Sequence, residues 1–600
     1  MLKQVIVGIM VVMLLVMGGQ VSAQQPVLPE GVLALIETPG LQAIQDHVQA
    51  YASAISPTVK VPPPAVMLTQ MTMTINPMTI DASQPIQMVF IAGEQGIPLP
   101  VLIFSVTDIQ AYKASLTPTL KQPVVEGKVT VYQNQRGVQG TTPAAIAIEG
   151  NTVCASQDKA AVETAISMVS GGQLGGALLL GGTDDIAAHI QTKALLDSIT
   201  ASMGSPFNIL RSQFMGAMAG APPETAQQTQ AIVHAEIDAL EALMGQIQSN
   251  TLRVNAQPDA LRLSLELDAI PGTPLAAYLS SVPDGMPDTL KYVPNDTFLL
   301  GTFKMGDMAS MMSWLIDFQT RMMAAQGTPP EESEKILNSL KDMMHAYGSE
   351  LTFGMQKGAR IRLVEAIRLK DPAAAAQMTN KAPTMADGWM RMYQRMGINM
   401  DMQIQPNRHT HGATSIAEWA FNIAPQPANE GANPQQQAMA EMQKKMMTAM
   451  FGEGMTMHSA VFGEDWLISV GDGSLDSIKA MIDNTGPRLM QDAAFRQNVL
   501  AVAPSSSEGI LFVRLTELIP WAMSLAQSAS GMMPPMLANL KLQPGPGVVG
   551  VLDISQTNAR FDLSVPAVEI KSIVDGFQQA MMQGMQPQGA GDAPPPGPVR

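Results

Sequence analysis

The sequence predicts an α+β fold: two tandem duplicated domains of antiparallel sheet with packed helices. Three observations carry this. Ungapped blocks recur between the halves, strand patterns alternate with helical ones along each half, and the composition supports a large core. Hydrophobic residues are 46% and charged residues 14% of 600, which favours burial over global disorder.

The first block pairs "IEGNTVCASQDKAAVETAISMV" with "VFGEDWLISVGDGSLDSIKAMI", placing Gly150 on Gly463 at an offset of 313. Both read as a turn, a short buried strand and an amphipathic helix. Cys154 falls on Leu467, so the only cysteine in the chain holds a strand position where the duplicate has leucine. A free cysteine packs as a small hydrophobe, and no basic neighbour in sequence lowers its pKa. The second block pairs "MVFIAGEQGIPLPVLIFSVTD" with "LTFGMQKGARIRLVEAIRLKD", placing Phe90 on Phe353 at an offset of 263. Each reads as a hairpin around a Gly-containing turn.

Strand-then-helix pieces open each half at "PEGVLALIETPGLQAIQDHV" and "PNDTFLLGTFKMGDMASMMSWL", and others close them near 185 and 508. A further hairpin pattern follows each closing helix, at 252–269 and 547–567. The two domains are therefore expected at 24–282 and 288–575. A repeat this long is domain duplication and not a solenoid. The offsets differ by 50, so the second half carries a surplus between Asp371 and Gly463. A Met-rich insertion at 424–457 accounts for much of it, led by the polar stretch "APQPANEGANPQQQ". Residues 583–600 read as a disordered Pro/Gly-rich tail.

Residues 1–23 read as a signal peptide. Lys3 precedes the apolar run Val5 to Met17, and Val21-Ser22-Ala23 offers a small-residue cleavage site. The run is short for a bilayer span, and no later run is longer, so no transmembrane segment is expected after cleavage. The expected location is periplasmic or extracellular. One cysteine excludes an intramolecular disulfide. A net charge of −16 with 4% aromatics argues against nucleic acid, which needs basic patches and stacking platforms.

Catalytic spacing is sparse. No G-x-S-x-G, H-E-x-x-H, P-loop or Rossmann fingerprint occurs. Ser156-Gln-Asp-Lys159 matches S-x-x-K, but its duplicate Ser469-Val-Gly-Asp472 lacks the lysine. Methionine is the unusual signal, with 47 residues. Met439, Met442, Met446 and Met450 share one helix face, which suits adaptable apolar contact. Thioethers also suit Cu(I), and imidazoles can join them. A copper or silver alternative therefore rests on Met455, Met457, His458, His409 and His411. Another Met cluster runs from Met390 to Met402. His409 and His411 share a strand side, beside Arg408, where a solvated face is the plainer reading. Glu365 is a carboxylate among Ile361, Leu363, Ile367 and Leu369, with Leu102 as its duplicate. Even positions there, with Arg360, Arg362, Arg368 and Lys370, read as a wet face. A carboxyl on an apolar face needs a partner or a raised pKa, which makes Glu365 a candidate site residue.

Pieces such as "GEDWLISVGDGSLDSIKAMI" and "EGILFVRLTELIPWAM", with the overall layout, resemble a domain-of-unknown-function family of exported bacterial proteins. The resemblance spans most of residues 30–570 and implies no activity and no catalytic residues. The sequence reading is a non-catalytic exported protein that needs no cofactor and binds an apolar ligand or a protein partner. An unrecognised hydrolase is the other alternative, since catalytic groups converge from distant segments.

Overall fold

The computed structural model describes residues 28–62, 79–93, 96–116, 124–126, 129–131, 145–217 (without 177 and 183), 223–325, 327–383 (without 359, 378 and 381), 390, 399–424, 445, 448–449, 452, 454–499, 502–503, 506–530 and 540–584. The leader at 1–23, most of the Met-rich insertion and nearly all of the tail at 583–600 lie outside them.

Among the described residues twenty strands form one antiparallel sheet. The first half supplies β1 (Val32–Thr38), β2 (Ile86–Ala92), β3 (Pro98–Ser105), β4 (Val124–Glu126), β5 (Val129–Val131), β6 (Ala145–Glu149), β7 (Thr152–Ser156), β8 (Ile186–Ile190), β9 (Ile247–Ala256) and β10 (Ala260–Ala269). The second half supplies β11 (Thr297–Lys304), β12 (Tyr347–Gln356), β13 (Arg362–Leu369), β14 (Asn399–His411), β15 (Thr414–Ala424), β16 (Met455–Phe462), β17 (Asp465–Val470), β18 (Gly509–Val513), β19 (Val548–Ser555) and β20 (Asn558–Pro566).

The first half pairs in the order β4-β5-β6-β7-β3-β2-β1-β8-β9-β10. The second half repeats it as β14-β15-β16-β17-β13-β12-β11-β18-β19-β20. β10 then pairs antiparallel with β20. The halves therefore share a single sheet, with an approximate two-fold between β10 and β20.

Direct cross-strand partners share a sheet face. The row Ile36–Ala188–Leu252–Leu265–Phe561–Leu552–Gly509–Phe303 marks one face across both halves. The other face is helix-covered in each half. Helix Lys159–Ser170 sets Val162, Ala165 and Ile166 on Leu35, Val101, Ile103 and Cys154. Its start is capped by Asp158, which accepts from the Ala161 N–H at 2.9 Å. Helix Ser474–Ile482 sets Ile478 and Met481 on Val364, Ala366 and Leu467.

This corrects the wet-face expectation for β13. Val364 and Ala366, on the even side, are 2% and 1% exposed. The cations sit toward the strand ends, where Arg362 faces Asp296 and Arg368 faces Asp465. Apolar side chains on both sides of β13 are what a strand between two covered faces requires.

Candidate functional site

The first candidate is the face that holds Ile36 and Leu252. It is covered toward both flanks. Helix Ile109–Leu116 sets Tyr112 and Leu116 against Phe104 and Ile146. Helices Pro223–Met244, Pro274–Ser280 and Ala309–Ala325 bring Leu243, Leu279 and Met311 to Phe303 and Leu552. Between these covers helix Leu41–Ile55 reaches β9 and β20, where the Tyr51 hydroxyl donates to the Val565 carbonyl, but it roofs the strands only in part. Ile36, Ile186, Ile190 and Leu252 are 36–42% exposed, although each is a sheet residue. They lie on β1, β8 and β9, which are neighbours. Leu263, Leu265, Phe561 and Leu563 extend the patch over β10 and β20 and are half-buried.

Glu365 lies on this same face, between Phe353 of β12 and Ile468 of β17. No hydrogen bond or ion pair reaches it among the described residues. Burial pushes its carboxyl up to about 7, the response of a carboxylate among apolar groups. Other buried carboxylates are satisfied structurally. Glu37 accepts from the Leu179 and Leu180 N–H groups, and Glu569 from those of Thr516 and Gly547.

The second candidate lies on the helix-covered face, at the outer strands of the second half. His409 of β14 donates from Nε2 to Glu418 Oε2 of β15 at 2.9 Å. His458 of β16 pairs with Glu418 in register, and its Nε2 is 3.5 Å from the same oxygen. The two imidazole centroids are 5.4 Å apart. Donor atoms of all three residues fall within 4.8 Å of one another. His458 Nδ1 hydrogen-bonds Ser474 Oγ at 2.8 Å, at the start of helix Ser474–Ile482. The hydrogen bond from His409 holds the Glu418 carboxyl below its ordinary range. Burial lowers His458 against the opposing pull of Glu418. A cavity of about 320 Å³ adjoins, lined by Arg360, His458, Asp472 and Ser474 among others.

The residues of the soft-metal alternative do not come together as a set. His411 turns to Asp483 at 2.8 Å, away from His409. Met455 and Met457 alternate with His458 along β16 and so occupy the opposite face. There Met457 packs with Met402 and Trp419. Met390 joins the same cluster, and Met311 and Met323 are 2% and 3% exposed, so these methionines fill cores. Met439, Met442, Met446 and Met450 lie outside the described residues. Sequence reasoning missed Glu418 and Ser474. The available signal for Glu418 was a carboxylate two residues after Ile416 on one strand side, the same anomaly that exposed Glu365.

The fold and sites define an internally duplicated α+β protein whose single sheet has one helix-covered face and one partly open apolar face. No protein-family model matches the chain, and no curated protein matches it. Among solved structures it is similar to TP0453. Crystal form IV gives a TM-score of 0.20 at 10% identity, over 40% of this chain and 79% of that one. Crystal form III gives 0.20 at 9%, over 42% and 82%. Likeness at this level carries no functional argument. Among the described residues no helix is long and apolar enough to cross a membrane.

Proposed function

We propose that this is a non-catalytic exported protein that holds an apolar ligand on the open sheet face. The export part rests on the leader pattern at 1–23. The single observation that carries the binding part is the cluster of Ile36, Ile186, Ile190 and Leu252 on adjacent strands, exposed together. Contiguous exposed apolar surface marks interaction sites in soluble proteins. Eight neighbouring strands, from β2 to β18 through β10 and β20, span roughly 35 Å at the usual spacing. A patch that runs across strands of this sheet suits an extended hydrocarbon better than a compact metabolite. Among the described strand residues Glu365 is the one carboxyl on the face; burial raises its pKa to about 7, and alone it does not offer an acid–base pair.

The test is native mass spectrometry and organic extraction of protein purified from its own cells, for wild type and Leu252→Glu. A retained apolar molecule that Leu252→Glu loses supports the reading. A co-purifying protein lost in that variant makes the face a partner surface instead. A wild-type protein that carries neither, and takes up no fatty acid or other acyl-chain ligand, sinks the proposal.

A further inference from the structure

We propose that His409, Glu418 and His458 form a binding site for a divalent transition cation of the Zn²⁺ class, clasping the β14–β15 hairpin to β16. The three donors come from three neighbouring strands and already converge within 4.8 Å. A tetrahedral zinc with bonds near 2.1 Å places its donors about 3.4 Å apart. The Glu418–His458 separation of 3.5 Å is close to that value, and the Glu418–His409 separation of 2.9 Å needs a small opening, with the proton that His409 donates from Nε2 moved to Nδ1 or released as the metal binds.

The hydrogen bonds around His458 give an independent argument. Ser474 Oγ donates to the Thr456 carbonyl at 3.4 Å, so it accepts from His458 Nδ1–H. That arrangement favours the tautomer with a lone pair on Nε2. His458 is 5% exposed, and among the described residues its Nε2 has no hydrogen-bond partner. In that tautomer the lone pair faces the Glu418 carboxylate at 3.5 Å, and two facing acceptors are unfavourable in a buried place. A cation bound to both resolves it. An outer hydrogen bond that orients a ligating imidazole is the usual companion of such a site; Ser474 supplies it here.

The donor set also selects the metal. Two imidazoles and one carboxylate suit borderline divalent ions, whereas Cu(I) prefers sulfur. Met455 and Met457 are on the far side of the sheet, so neither of these thioethers joins.

The experiment is calorimetric titration of metal-free full-length protein with Zn²⁺, followed by Co²⁺ substitution read by visible absorption. One Zn²⁺ per chain is expected, with a raised melting temperature and a Co²⁺ spectrum of nitrogen and oxygen ligation. His409→Ala and Glu418→Gln are expected to weaken Zn²⁺ by about 100-fold or more. His409 and Glu418 are only half-buried, so both variants should fold, which circular dichroism checks. His411→Ala, which touches Asp483 instead, should leave Zn²⁺ binding unchanged. Absent one-to-one Zn²⁺ binding, binding indifferent to both His409→Ala and Glu418→Gln, or binding of Cu(I) alone would each overturn the proposal.

Discussion

Leu265 and Phe561 are direct cross-strand partners at the place where the two halves of the chain become one sheet. Phe561 finds room because Gly550, on the neighbouring strand β19, has no side chain. A Cβ at Gly550 would overlap the Phe561 ring and sit 3.2 Å from Leu511 Cβ. Gly550→Ala is therefore expected to cost about 1–3 kcal/mol through overpacking. Chemical denaturation of the full chain checks this. A variant as stable as wild type would show that the ring moves freely and that the junction is loosely packed.

The same junction predicts how the halves behave alone. Residues 24–282 contain β1 to β10, and without β20 the strand β10 becomes an open edge with Leu261, Leu263, Leu265 and Leu267 on one side. Such an edge pairs with other chains. Residues 24–282 expressed alone should dimerise or aggregate, whereas the full chain does not use that edge. Size-exclusion chromatography with light scattering decides, and a well-behaved monomer would contradict the single-sheet account.

Glu365 gives stability a pH dependence of definite sign. Its folded pKa is raised to about 7 from 4.5, so between these values the folded state holds a proton that the unfolded state has lost. Stability then falls as pH rises through that window. Glu365→Gln should remove this part of the slope, leaving the variant more stable than wild type at pH 8 and nearly equal at pH 5. The gain is on the order of 2 kcal/mol, discounted for the partial exposure of the group. Glu508, also raised to about 7 by burial, should keep a residual slope in the variant. Thermal melts of both proteins across pH 5–8 measure the difference, and parallel curves would reject the assignment.

The blocks read from sequence contained enough local information to place their own elements. The turn at Gly150 precedes β7 and helix Lys159–Ser170, and its duplicate at Gly463 precedes β17 and helix Ser474–Ile482. Periodicity over ten to twenty residues suffices for that. The join of β10 to β20 was not legible, because those strands are nearly 300 residues apart and either could have paired elsewhere. Glu418 was missed for a related reason. Its meeting with His409 depends on a register shift between Gln405 and His409 in the β14–β15 hairpin, and a bulge leaves no periodic trace. Alternation alone was enough to part Met457 from His458, but only once both lay inside one strand.

Cys154 is fully buried between Ile103 and Ala147, and burial pushes its thiol up to about 12. A thiol in that state has almost no thiolate to react. Native protein should resist a disulfide reagent until it is unfolded, when one thiol per chain reacts. Cys154→Ala should cost about 1 kcal/mol as a small cavity and leave ligand binding unchanged. Rapid labelling of native protein would show that the first half opens far more readily than its core suggests.

The last prediction concerns the Met-rich segment between β15 and β16. Phe421 and Met455 are cross-strand partners, so the chain leaves and re-enters the sheet at adjacent points. A short Gly-containing hairpin turn is able to bridge such ends, whatever now connects them. The segment 424–457 needs a later start and an earlier stop than its composition suggests. Ala424 ends β15, and Met455 begins β16, where Met457 pairs with both Trp419 and Val470. Removing 424–457 would cut into β16, which is paired on both sides, whereas removing 425–453 should not. The 425–453 deletion, closed by a short turn, is expected to unfold cooperatively within a few degrees of wild type. It also removes Met439, Met442, Met446 and Met450, so it separates two surfaces. Retained apolar ligand in the deletion variant assigns binding to the open sheet face, as proposed. Lost ligand in a folded variant moves the binding surface to the Met stripe. A variant that fails to fold would mean that the segment is part of the second half's core.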